Sequence, residues 1–284
     1  MLTLVKKDLP HLLRDIPQPP QQLFVEGDSF SDLLARPRVA IVGSRKVTPY
    51  ARMVTEQIAT ALSKAGVVVV SGLALGVDSI AHQATLDARG TTMAVLPGPL
   101  SKIYPTSHTR LARQIVEQGG ALLSEYEPAS GSPRKNQFID RNRIVSALSD
   151  AVVITIAAEG SGSLHTARHA LAQGRPVYAV PGPITDPAYA GTNQLVADGS
   201  AALITSPEAL VKLLGLEGTH QQALILGDTP EEQGVIDLLQ QGVTAGDELL
   251  ARSTLSVSAF DQAITMLEIS GHIRNVGNGH WRLG

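Results

Sequence analysis

The chain contains no cysteine and only one tryptophan, and aromatics make up 4% of its 284 residues. The lack of cysteine excludes disulfides, thiolate nucleophiles and cysteine-ligated metals. No apolar run approaches the length needed to cross a bilayer, and the N-terminus has no apolar core followed by a small-residue cleavage pattern. A cytoplasmic protein with no membrane partner is therefore expected. A glycine pattern GxGxxG after a strand is missing, since Gly72 and Gly76 are spaced wrongly, and so is GxxxxGK[ST]. Dinucleotide binding and ATP hydrolysis thus lack their usual signatures. No GxSxG elbow is present. His165 and His169 stand four apart on one helical face, but Thr166 occupies the position that HExxH gives to glutamate, so no metal site is expected. Asp78 and His82, also four apart, read as a hydrogen-bonded structural pair.

What is present is a regular alternation of strand and helix. Val39–Val42 is a short apolar run ending in Gly43-Ser44-Arg45, and Thr48-Pro49 opens a helical pattern that closes at Gly66. Small residues between a strand and a helix N-terminus suit an anion, and Arg45 adds a planar fork. Further strands are read at 67–70, 92–96, 121–123, 151–156, 177–180 and 201–204, mostly followed by glycine-rich turns. This predicts an α/β fold with a Rossmann-like, doubly wound and mainly parallel sheet. Its turns gather at the carboxyl edge, where such sheets bind ligands. The stretch 124–136 reads as a long loop and 138–148 as the next helix. The expected domains are a short extension at 1–35, the Rossmann-like domain at 36–214, a linker at 215–229 and a winged helix at 230–284. The last follows from three helical patterns and a terminal hairpin with an Asn278-Gly279 turn.

Net charge is only −3, but it is unevenly distributed. Residues 36–52 hold five cations and no acid, and residues 134–143 hold Arg134, Lys135, Arg141 and Arg143 against Asp140 alone. Residues 229–284 carry seven acids against three cations. Cations beside Phe138 fit a single-stranded nucleic acid, which needs a backbone groove and a stacking ring. An equally plain reading makes Phe138 core and Asn142 a helix hydrogen-bonder.

These motifs together resemble the DNA processing protein A (DprA/Smf) family. The similarity rests on Gly43-Ser44-Arg45 with Tyr50, Ser71–His82, Met93–Gly98 with Tyr104-Pro105, and Leu122–Tyr126. It continues through Phe138–Arg143, Ser161–Ala167, Val180–Gly182 and Gly191–Asn193, in the family's order over about residues 22–205. The resemblance implies a non-catalytic protein without cofactor that binds single-stranded DNA as a homodimer. It implies a mediator of recombination that protects incoming strands and loads RecA recombinase during natural transformation, with single-strand binding protein as a further partner. It places Gly43, Ser44 and Arg45 on phosphates, Lys135, Arg141, Asn142 and Arg143 along a basic groove, and Phe138 under a base. Ser161, Gly162 and Ser163 form a second amide-rich turn.

Ile156, Gly160, Ile139, Ala51 and His108 depart from the family pattern, which often has Glu, a basic residue, proline, glycine and asparagine there, and Asp140 is an added acid in the same motif. A rival reading is a Rossmann-like nucleotide hydrolase of the N-glycoside type, which Gly160–Thr166 faintly resembles. That chemistry needs a carboxylate where Ala167, Arg168 and His169 stand. The winged helix's recognition helix, 257–270, has no Lys or Arg and carries Asp261 and Glu268. Such a helix repels duplex phosphates, so a protein-contact or regulatory module is expected rather than a duplex reader.

Overall fold

The computed structural model describes residues 2–27, 30–216, 227, 229–240, 242–277 and 279–283. It separates into two compact units, Met1–Thr219 and His220–Gly284. Most of the expected linker, 217–226 and 228, lies outside the described residues.

The larger unit is built on nine strands: β1 (Leu2–Val5), β2 (Gln22–Glu26), β3 (Arg38–Val42), β4 (Val68–Ser71), β5 (Thr92–Val95), β6 (Ala121–Ser124), β7 (Ala151–Ile154), β8 (Val177–Ala179) and β9 (Ala202–Leu203). Their order across the sheet is β1-β2-β6-β5-β4-β3-β7-β8-β9. From β6 to β9 every pairing is parallel. The chain thus steps outward from β3 through β4 and β5 to β6, then returns to lay β7 on the other side of β3.

Strands β3 to β7 are buried along their whole length, which is why they read as near-continuous apolar runs. Alternate residues serve opposite faces. Ala40, Val42, Val68, Val70 and Val152 pack with Ile144 and Ala167 on one side. Val39, Ile41, Val69 and Val153 pack with Ile58, Leu62 and Ala81 on the other. Helices Lys135–Ala147 and Ser163–Ala172 cover the first face, and Pro49–Lys64 and Val77–Asp87 cover the second. The helix at Pro49 starts where the sequence places it: Thr48 Oγ1 accepts the Ala51 amide at 3.1 Å, and proline fills the first helical position.

Two expectations are corrected. Residues 1–35 are no mere extension, because β1 pairs antiparallel with β2 and β2 pairs antiparallel with β6. Leu9, Leu13, Leu23 and Phe30 also enter the core of the first face. Second, the helix expected at 138 begins three residues earlier, at Lys135. The Arg134 amide is capped by Gln137 Oε1 at 2.5 Å, which shortens the loop.

The smaller unit has helices Pro230–Gln240, Gly246–Ser253 and Val257–Ile269, then a hairpin of β10 (Ile273–Gly277) and β11 (His280–Leu283). Val235, Ile236, Leu249, Phe260, Leu267 and Ile273 form its core. Asn278 of the expected turn lies outside the described residues.

Candidate nucleic-acid interface

Reversal of strand order at β3 and β7 opens a crevice beyond their carboxyl ends, the usual ligand position in such sheets. A cleft of about 510 Å³ lies there. Gly43 and Arg45 after β3, Tyr104 after β5, and Ser161, Gly162 and Ser163 after β7 contribute to its walls. Lys135, Phe138, Arg141 and Asn142 enter from the opening turns of the helix Lys135–Ala147. Residues far apart in sequence thus meet because each follows, or leads into, one strand of the same edge.

Backbone hydrogen bonds hold the turn after β3. The Ser44 amide donates to Ile156 O at 2.9 Å, and Val77 N donates to Ser44 O at 3.2 Å. Gly76, at φ +86°, lets its chain run against the turn; a Cβ there would sit 2.4 Å from Ser44 O. This takes the Ser44 amide out of the expected phosphate cradle at 43–45, while Gly43 and Arg45 line the cleft. The helix starts only at Pro49, and the Ser44 amide is spent on the neighbouring strand's exit. Ile156 at that exit is buried and serves through its carbonyl. What the turn presents is the Arg45 side chain, exposed, with its guanidinium 5.2 Å from the Phe138 ring centroid. Tyr104 meets the same ring edge-on at 5.4 Å. Phe138 is half-buried within an exposed cation–aromatic cluster, a fit for stacking.

The Arg141-Asn142-Arg143 triplet divides. Asn142 Nδ2 donates to Gly162 O at 3.3 Å, joining the helix to the turn after β7, where the Ser161 and Ser163 hydroxyls lie 2.9 Å apart. Arg141 borders the cleft but is 4% exposed. Its guanidinium donates to the carbonyls of Gly72 and Val95, at the ends of β4 and β5. A Cβ at 72 would stand 2.2 Å from that guanidinium, so any side chain there must displace Arg141 from its carbonyls. Burial holds the Arg141 pKa below its ordinary value, partly offset by Asp78. Arg143 corrects the expectation outright, for it does not line the cleft. It is 8% exposed, forms a two-pronged ion pair with Glu125 at 2.9 and 2.7 Å, and donates to Gln18 O at 2.8 Å. A guanidinium so engaged has no free face for phosphate.

Beneath the cleft, Asp78 and His82 make separate bonds rather than the expected pair. Asp78 Oδ2 accepts the amides of Gly72 at 3.1 Å and Ala74 at 3.4 Å, and burial raises its pKa against the pull of Arg141. His82 Nδ1 lies 2.7 Å from Thr92 Oγ1, and burial, helped by Arg141 and His108, lowers its pKa from 6.5 to about 3. Between those values the unfolded chain binds a proton that the folded chain refuses, so stability rises with pH across that window. We expect the parent's melting temperature to drop on acidification from pH 6.5 toward 3 more steeply than that of His82→Gln. Parallel pH slopes would refute this role for His82.

Sequence reasoning missed Tyr104 and Glu125 as members of these clusters. The motif Tyr104-Pro105 was visible, but its ring contact with Phe138 depends on the long connection between β5 and β6. No group of three or more metal-ligating side chains occurs among the described residues, and no helix among them is long and apolar enough to cross a membrane.

Exposed cations and an aromatic thus stand together at the switch point of a Rossmann-like, doubly wound sheet. The family model for DNA recombination-mediator protein A matches residues 1–215, and that for the DprA winged helix domain matches residues 219–279. The chain belongs to the DNA recombination-mediator protein A family. It is 39% identical over 278 residues to Protein Smf of Escherichia coli K12, covering 93% of this chain and 72% of that protein. It is 38% identical over 213 residues to the DNA processing protein DprA of Bacillus subtilis, covering 75% and 70%. Among solved structures, DNA processing protein A of Helicobacter pylori, described for its single-stranded DNA binding mode, superposes with a TM-score of 0.67 at 38% identity. That match covers 75% of this chain and 94% of that one.

Proposed function

We propose that this chain binds single-stranded DNA in the cleft beyond β3 and β7 and works as a non-catalytic recombination mediator. The observation that carries this reading is the exposed cluster of Arg45 on Phe138 beside Tyr104, with Lys135 on the same wall. It supplies backbone charge and a stacking platform together. The single-stranded DNA binding of the Helicobacter pylori relative supports it. Asp78 is the one carboxylate among the described residues lining the cleft, and its Oδ2 is engaged by two amides beside Arg141. That arrangement favours binding over the N-glycoside hydrolase reading. In this role the protein, as a homodimer, shields an incoming strand and passes it to RecA recombinase during natural transformation, alongside single-strand binding protein.

The test is the affinity of a fluorescent oligo-dT across a salt series. Log affinity falls linearly with log salt, and Arg45→Ala and Lys135→Ala each lower the slope by about 0.7, the value for one single-strand phosphate contact. Phe138→Ala costs about 1–3 kcal/mol of binding, the worth of one stacked base, and leaves the slope in place. Parent-like binding by all three variants would remove the cleft as the site.

A further inference from the structure

The cleft is not the only cationic depression at this edge. A second groove, of about 460 Å³, is bordered by Arg52, Ser79, Gln83, Ser107, His108 and Arg110. No acid lines it. Arg110 is exposed, and its side chain has no hydrogen bond or ion pair among the described residues. Arg52 is exposed and pairs only with Glu56, one helical turn away at 3.5 Å. An exposed pair of that kind is weak and readily exchanged for a phosphate. Arg52, Ser79 and Arg110 stand in the opening turns of three different helices, whose positive ends add to the two guanidinium charges.

A small hollow of about 40 Å³ beside the cleft shares Arg45, Tyr104 and Phe138 with it and adds Leu75 and Pro105. Tyr104 and Leu75 are 44% and 50% exposed, so this surface is open. The hollow has no lining residue in common with the second groove, but their walls adjoin: His108 Nδ1, on the groove, lies 2.8 Å from the carbonyl oxygen of Leu73, the residue between Gly72 and Ala74 of the hollow.

We propose that this second groove carries the continuing phosphodiester backbone of the single strand seated in the cleft, with Arg52 and Arg110 as its phosphate contacts and Tyr104 and Leu75 as the surface over which bases pass. The assignment rests on the cleft reading above. A sugar–phosphate chain is the ligand that suits it, since the groove supplies spaced cations and no Phe, Tyr or Trp among its described lining residues.

Oligo length separates the two sites. A dT strand of about six nucleotides, near the short end of single-strand sites, fills the cleft, and one of about twenty reaches the groove. The Arg52→Ala/Arg110→Ala protein is expected to bind the short strand as the parent does. It should bind the long strand about 25-fold more weakly at about 0.1 M salt, which corresponds to two contacts of about 0.7 in log–log slope. Arg45→Ala weakens both strands. Parent-like affinity of the double variant for the long strand overturns the groove, and so does an equal loss on both strands, which would mean a disturbed cleft. Failure of Arg45→Ala to weaken either strand would instead sink the cleft reading, while the long-strand comparison would still report on the groove. Both substituted side chains are exposed, so an unchanged melting temperature certifies the fold.

Discussion

Arg141→Met should lower the melting temperature of the larger unit by on the order of 10 °C, since leaving a buried charge uncompensated costs about 3–5 kcal/mol. Three losses coincide. The Gly72 and Val95 carbonyls lose their donor, Asp78 loses the cation that offsets its burial, and the ends of β4 and β5 lose their common tie. Arg141→Lys should rescue little, because a single ammonium on a flexible stem does not reproduce a rigid fork aimed at two carbonyls. Thermal unfolding followed by circular dichroism decides the matter. A Met variant that melts with the parent would show that Arg141 is dispensable to the frame.

Loss of Arg143 should be comparably severe and silent toward DNA. Its partner Glu125 lies in the stretch after β6 and its third acceptor, Gln18, in the segment between β1 and β2. Arg143→Ala leaves Glu125, whose side chain is 14% exposed, without a counter-charge, at a cost of about 3–5 kcal/mol. Arg143→Met combined with Glu125→Leu should recover much of that, as apolar replacement of a whole buried pair often does. At temperatures where the single variant stays folded, its oligo-dT salt slope should equal the parent's. A reduced slope with an unchanged melting temperature would return Arg143 to the DNA groove.

These two arginines show where sequence reading ends. Charge counting marked residues 134–143 as basic, yet it cannot tell a cation facing water from one spent on a carboxylate. Arg45 and Arg143 look alike in sequence; Glu125, eighteen positions upstream, is what makes them different. The parallel sheet, its carboxyl-edge turns and the Thr48-Pro49 helix start were legible because each is written locally. The role of residues 1–35 was not, since the partner of β2 is β6, about a hundred residues away. Glycines 72 and 76 announced turns, but what they make room for, a guanidinium and another turn's backbone, comes from distant segments.

The pairing of β2 with β6 also sets a timetable. Phe24 faces Ser124 and Val25 faces Leu123, so on the ribosome the N-terminal strand waits while about a hundred residues are made, roughly 5–20 s at ordinary synthesis rates. β3, β4 and β5 are complete in the nascent chain before β6 exists, while β7, the other neighbour of β3, arrives later still. The edge that carries the cleft is thus among the last parts of the larger unit to be finished, and a chain cut short before β7 would present an apolar strand where the crevice should be.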